Sequence, residues 1–296
     1  MKKLVIFGVG LIGGSVALAL KAYQAAQASN NAESLTEIVG VNRTASSLNE
    51  ALESGVIDYA ETNIQAAVHD ADLILIAAPV AQTTSILQSI KPYLNKQTVI
   101  TDAGSTKADV LANAQSVLGD QFKQFIGGHP IAGAEKSGVS AALPDLFSGK
   151  NVVLTPRPIT SAEAVRIVSG LWEKCGAKVS QMSAESHDSI FAAVSHLPHL
   201  LAFALVDDIA SRPNAAQLFS FAASGFRDFT RIAGSHPEMW RDISLANKTA
   251  LLSELTAYQL ELNQLKQLLE NEDRAGLQAL FERASVARNN WAQNKK

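Results

Sequence analysis

The segment LVIFGVGLIGGS, residues 4–15, constrains the chain more than any other. An apolar run rich in β-branched residues leads directly into glycines at 8, 10 and 13, and then into an apolar stretch suited to a helix. In this G-x-G-x-x-G spacing Gly8 permits a tight turn. Gly10 removes a side chain that would block a pyrophosphate, and Gly13 lets helix and strand approach closely. The first helical N–H groups, from Leu11 and Ile12 onward, then face the phosphates. Placed directly after a strand at the start of an alternating chain, the pattern predicts a domain that binds a dinucleotide.

The alternation continues to about residue 182. Apolar runs recur at KLVIFG, TEIVGVN, ADLILIAAP, QTVITDAG, QFIGGHP, NVVLTP and AKVSQM. Continuous Val/Ile/Leu strands are expected where helices cover both faces of a parallel sheet. Helices are predicted between them, among others over 81–93, 107–118 and 161–175. The fold class is therefore α/β, with a doubly wound Rossmann-type sheet over 1–182. After 183 helical periodicity takes over, including one long segment predicted from Pro237 to Glu270. Its leucines at 245, 251, 252, 255, 260, 262, 265, 268 and 269 exceed one apolar stripe. A helix with two apolar faces buries one against a partner, so 183–296 is expected to be all-helical and to form a homodimer through these helices.

Composition removes other classes. A net charge of −3 argues against a nucleic-acid partner, which calls for a basic surface. No apolar run read from the sequence approaches the ~20 residues of a membrane span, so no membrane partner is expected. The glycines at 8, 10, 13 and 14 break what might otherwise read as a signal helix, and Cys175 has no internal partner. Both point to the cytoplasm. His196 and His199 lack an accompanying set of ligands, so no metal is expected.

The second strand ends in IVGVNRTASS. An NAD-binding domain usually ends this strand in Asp or Glu, which takes the ribose hydroxyls. Here Asn42, Arg43 and Thr44 stand instead. A carboxylate repels a 2′-phosphate whereas a guanidinium attracts it, so the expected cofactor is NADP, with NAD also possible.

Ligands gather at the carboxyl ends of strands in such sheets. Three ends carry candidates: AAPV with Pro79, TDAGSTK with Asp102, Ser105 and Lys107, and GGHPIAG with His129. Pro79 and Asp102 are expected beside the cofactor, and His129 on a glycine-lined loop can act as a general base. The glycines of that loop are expected to let cofactor and substrate reach the backbone. In VSHLPH, Ser195 and His199 are four apart and share a helix face. GFRDFTRIAGSHPEMWRDI adds Arg227, Arg231 and Arg241, any of which as an isolated residue reads as a surface ion-pair group.

Taken together, GVGLIGGS, TDAGSTK, GGHPIAGAEKSG, SHLPH and GFRDFTRIAGSHPEMWRDI resemble the prephenate/arogenate dehydrogenase family of tyrosine biosynthesis, over residues 6–243. That resemblance implies an N-terminal nucleotide-binding domain and a C-terminal helical dimerisation domain. It also implies roles: His129 as base for the ring 4-hydroxyl, with Ser105 bonding to that histidine or hydroxyl. Glu135 would lie near the pocket mouth and organise an arginine. Ser195 and His199 would contact substrate, with His196 doing so or steadying the loop, and Arg231 would hold a carboxylate. The implied reaction is oxidative decarboxylation of prephenate or arogenate with hydride transfer to NAD(P)+. Competing readings are another NAD(P)-dependent dehydrogenase or reductase with a helical second half, and a nucleotide-sensing protein without catalysis.

Overall fold

The computed structural model describes residues 1–27, 35–134 and 136–293. Eight strands form its sheet: β1 (Lys3–Phe7), β2 (Glu37–Val41), β3 (Tyr59–Ala60), β4 (Leu73–Ile76), β5 (Val99–Asp102), β6 (Phe125–Pro130), β7 (Asn151–Thr155) and β8 (Lys178–Gln181). Their order is β3-β2-β1-β4-β5-β6-β7-β8. Pairing is parallel from β3 across to β6. It turns antiparallel between β6 and β7, where His129 lies opposite Val153, and parallel again between β7 and β8. Strand order reverses about β1, which opens a crevice at the carboxyl ends of β1 and β4.

Between the strands run α1 (Leu11–Gln27), α2 (Ala45–Glu53), α3 (Ile64–Val68), α4 (Thr83–Ile90), α5 (Ala108–Leu118) and α6 (Ala162–Lys174). Successive strand side chains point to opposite faces, and each face has its own core. Leu4 and Ile6 join Val16 and Leu20 of α1, Leu48 of α2 and Trp172 of α6. Val5 and Phe7 join Val68 of α3, Leu87 of α4 and Leu111 of α5. This double coverage is why the strands are apolar without alternation. Cys175 is buried at the end of α6, and burial pushes its thiol up to about 12.

The helical part begins with α7 (Ala184–Phe191), a π turn over Ala192–His196, and α8 (Leu197–Ala210). These join into one 27-residue helix containing an 18-residue stretch of mean hydropathy 1.7, long and apolar enough to cross a membrane by length and composition. That corrects the expectation that no run approaches such a length. Pro198 does not end the helix, because the π turn directly before it interrupts the α-helical ladder where its missing N–H would fall. The helix nevertheless buries His187, Asp188 and His196 against protein partners.

Next come α9 (Ala215–Ser220), α10 (Ser224–Thr230), a 3-10 turn over Arg231–Gly234, α11 (Pro237–Ala246), α12 (Lys248–Glu270) and α13 (Arg274–Gln293). The segment Pro237–Glu270 is thus two helices, interrupted at Asn247. The described residues form two compact units, Met1–Lys248 and Thr249–Lys296. The change from alternating to helical structure at 182/183 lies inside the first.

Candidate active site

At the carboxyl end of β1 the chain turns at Gly8 with φ +95°, a left-handed conformation that favours glycine. A Cβ there would lie 2.7 Å from the Ala77 carbonyl at the end of β4. A Cβ on Gly13 would lie 2.3 Å from the Gly8 oxygen, so this glycine sets the approach of α1 to β1. A Cβ on Gly10, by contrast, would meet nothing within 4 Å. The space beside Gly10 and the open first turn of α1 at Leu11 and Ile12 suit a pyrophosphate. The residues present therefore fit a dinucleotide.

Asn42, just beyond β2, accepts from the Val9 N–H at 2.7 Å through Oδ1 and donates to Ser47 Oγ at 3.0 Å. It fixes the glycine loop. Thr44 and Ser47 bond to each other through their hydroxyls at 2.8 Å, and Arg43 is exposed beside them.

His129 lies within β6, a strand and not a loop. The two glycines before it serve packing, which corrects for them the expectation that the loop glycines admit ligands, whereas a Cβ on Gly133, after it, would meet nothing within 4 Å. A Cβ on Gly127 would strike the Thr155 hydroxyl at 2.4 Å, and one on Gly128 the Asp102 carbonyl at 2.7 Å. His129 Nδ1 lies 2.8 Å from His187 Nε2, and His187 Nδ1 lies 2.8 Å from Asp188 Oδ1. Asp188 also accepts the N–H groups of Lys107 and Ala108, each at 2.8 Å, at the start of α5. Burial, reinforced by His187, Lys107 and His196, holds the His129 imidazole well below its ordinary pKa. At neutral pH it is an uncharged ring.

Ser105 is half-buried on the loop after β5. Among the described residues no hydrogen bond joins it to His129, whose Nδ1 partner is His187. Asp102 departs from the expectation of a cofactor contact. Its side chain is 1% exposed and pairs with the fully buried Lys107. It also accepts the N–H groups of Gly104 at 2.8 Å and Gly128 at 3.0 Å. A buried carboxylate needs such partners, and Asp102 has no surface left for a ligand. Pro79 is exposed after β4 and leads into a short turn, Val80–Gln82, against which α11 packs.

The helical residues cluster about Trp240 of α11. Its ring stacks on His199 with centroids 3.6 Å apart and meets His196 edge-on at 6.0 Å. His199 Nδ1 donates to the half-buried Ser195 carbonyl at 2.9 Å, which leaves Nε2 as the acceptor. Burial lowers the His199 pKa and nearby Arg231 lowers it further, whereas the Ser195 carbonyl raises it. Arg231 is exposed and begins the 3-10 turn that packs on α8. Of the two expectations for His196, the structure suits steadying the segment and not touching substrate, since it is 2% exposed with Nδ1 3.0 Å from Asn247 Nδ2. Asn247 Nδ2 also donates to the Asp188 carbonyl at 2.8 Å, so one amide ties together the two polar positions of the long helix. Glu135 lies outside the described residues. Arg227 lies 3.8 Å from Asp228, and Arg241 pairs with Asp242 and Glu238, as surface cations do.

Sequence reasoning missed His187, Asp188, Trp240 and Asn247. A signal existed for the first two. An adjacent His–Asp pair near the start of a helix that packs on the sheet domain must be partnered if it is buried.

A glycine cradle at a strand-order reversal, with a neutral imidazole at the same end of the sheet, defines a nicotinamide-dependent oxidoreductase. Comparison with known proteins carries this to a family. The model for the nucleotide-binding domain of prephenate dehydrogenase matches residues 25–181, and that for its dimerization domain matches 183–283. The prephenate dehydrogenase of Bacillus subtilis is 38% identical over 95% of this chain and 74% of its own length. The cyclohexadienyl dehydrogenase of Zymomonas mobilis is 34% identical over 97% and 95%. A crystal structure of prephenate dehydrogenase from A. aeolicus, in complex with hydroxyphenyl propionate and NAD+, superposes with a TM-score of 0.89 at 36% identity, covering 98% of each chain. The chain belongs to the prephenate dehydrogenase family.

Proposed function

We propose that the protein converts prephenate, arogenate or both by oxidative decarboxylation, in the biosynthesis of tyrosine. The observation that carries this reading is His129. It is a neutral imidazole whose Nδ1 is engaged by His187 and whose Nε2 makes no hydrogen bond to any described residue. Nε2 takes the proton of the ring 4-hydroxyl, and the hydroxyl carbon becomes a carbonyl as its hydride leaves. A bound nicotinamide supplies the hydride acceptor. The ring carboxylate then departs as CO2, its bonding electrons turn the carbonyl into a phenolate that regains the proton from Nε2, and the ring becomes aromatic, which drives the reaction forward. Ser105 steadies the hydroxyl. Arg231, with His199 and Ser195, holds a substrate carboxylate, for which a guanidinium fork is well shaped.

The substrate cleft in this reading joins the strand ends of residues 1–182 to α8 and the turn that begins at Arg231. NADP is the preferred cofactor, because no carboxylate follows β2 and Arg43 with Thr44 offers a cation and a hydroxyl instead. A second copy of the chain covers α12 and α13, which expose Leu252, Leu260, Leu269 and Phe281. The enzyme works in the cytoplasm, without membrane or nucleic-acid partners.

Initial rates with prephenate and with arogenate, each run with NAD+ and NADP+, test the reading. Turnover with at least one substrate is expected, faster with NADP+. Losing the charge-assisted contact in Arg43→Ala raises KM for NADP+ about tenfold and leaves that for NAD+ unchanged. Absence of turnover in all four combinations would sink the proposal.

A further inference from the structure

We propose that His187 and Asp188 are positioning residues that fix the tautomer of His129, so that Nε2 and not Nδ1 is its basic nitrogen. The inference rests on His129 being the base, and it follows from a chain of donors and acceptors with one consistent assignment.

The chain starts at Asp188. Its two oxygens receive the backbone N–H groups of Lys107 and Ala108, which can only donate. Burial alone would raise the Asp188 carboxyl, but the bonds from His187 and those two N–H groups hold it below its ordinary value. It is therefore ionised and accepts only. His187 Nδ1, 2.8 Å away, must carry a proton. Burial, with Lys107 adding to it, keeps the His187 ring below its ordinary pKa although Asp188 pulls the other way. A neutral ring protonated at Nδ1 has a bare lone pair at Nε2. The 2.8 Å contact between His187 Nε2 and His129 Nδ1 then needs its proton from His129. His129 is thus an Nδ1–H imidazole with its lone pair on Nε2. A free imidazole populates both tautomers, and only this one presents a base to a hydroxyl.

The anchoring spans four elements. His129 is on β6, His187 and Asp188 are on α7, and the N–H groups holding Asp188 open α5, two and three residues beyond Ser105. Asn247, after α11, grips the Asp188 carbonyl. Phe191 closes the remaining side, with its ring centroid 4.8 Å from that of His129 and 4.5 Å from that of His187. When Nε2 takes up a proton, the Nδ1–H bond is unchanged and the new positive charge faces a ring already oriented by a carboxylate. The arrangement places an imidazole where enzymes more often place a carboxylate against the base.

The test is the ring-nitrogen NMR spectrum of histidine-labelled full-length protein with bound cofactor, His129 being assigned by loss of its signals in His129→Asn. The wild type is expected to show His129 as the Nδ1–H form. A wild-type His129 protonated at Nε2 would overturn the proposal whatever any variant does. His187→Phe keeps a ring but no acceptor. It is expected to mix the two tautomers and to lower kcat about 10²-fold with KM for substrate nearly unchanged. His187→Gln, which can still accept from His129 and donate to Asp188, is expected to recover most of that loss. A folded His187→Phe that keeps its kcat and its Nδ1–H signal would reduce His187 to packing. The tautomer is read without substrate, so failure of the substrate assignment is separate: it appears as a wild type that turns over neither prephenate nor arogenate.

Discussion

A side chain that takes a proton from an alcohol near pH 7 must be uncharged beforehand and must present one nitrogen. Burial supplies the first condition at His129. Its pKa lies well below the ordinary histidine value, so the acid limb of kcat/KM should fall below pH 6.5, read from initial rates at saturating cofactor. His129→Asn should bind cofactor normally and lose 10²–10⁴-fold in kcat, the usual worth of a general base; near-normal turnover would contradict the assignment. Arg231→Ala should act mainly on KM for substrate. The same burial leaves a mark on stability. His196 is neutral in the folded protein with a pKa lowered to about 4, against 6.5 for a free ring. Between those values the unfolded chain binds the extra proton. The stabilisation is therefore complete above pH 6.5 and is lost as pH falls toward 4, by roughly 3 kcal/mol for this residue alone. Urea unfolding at pH 7 and pH 5 measures it, and equal midpoints would refute it. His129, Ser105, His199 and Arg231 could be picked out of the sequence because each sits in a polar, glycine- or proline-marked motif. His187 and Asp188 carried a weaker signal, an adjacent titratable pair with no motif around it. They lie in the first turns of α7 with no glycine or proline beside them, and their meaning depends on a strand nearly sixty residues away.

At the level of elements, the first glycine loop separates two jobs that one motif conflates. Gly10 has open space where a Cβ would go, whereas Gly13 has the Gly8 carbonyl. Gly10→Ala should unfold at the wild-type temperature yet bind NAD(P)+ more weakly. Gly13→Ala should lose roughly 1–3 kcal/mol of stability by overpacking before any effect on binding is considered. Thermal unfolding and fluorescence titration of the two variants distinguish these outcomes, and equal stabilities would show that α1 can shift to make room. Strand positions were legible, since burial on both faces writes an apolar run into each. The antiparallel direction of β7 was not, because a strand's composition carries no sign of its direction. The two-residue β3 was too short to leave a pattern. The helix expected from Pro237 to Glu270 broke at Asn247 for a tertiary reason: its amide is held by the Asp188 carbonyl and by His196.

For the whole molecule, the test is of the second copy proposed to cover the exposed side chains of α12 and α13. Leu260 is 67% exposed and Leu269 61%, on helices a lone chain would be expected to pattern with charge. Leu260→Glu together with Phe281→Glu should convert a dimer to a monomer at micromolar concentration by sedimentation. A wild type that already sediments as a monomer would remove the proposed interface. The hydrogen bonds from β6 to α7 have a further implication, for recombination. Exchanging helical halves between two members of the family at residue 182 would put His129 on one parent and His187 with Asp188 on the other. The success of such a chimera would turn less on how much surface the halves share than on whether the incoming imidazole lands within bonding reach of its host's base.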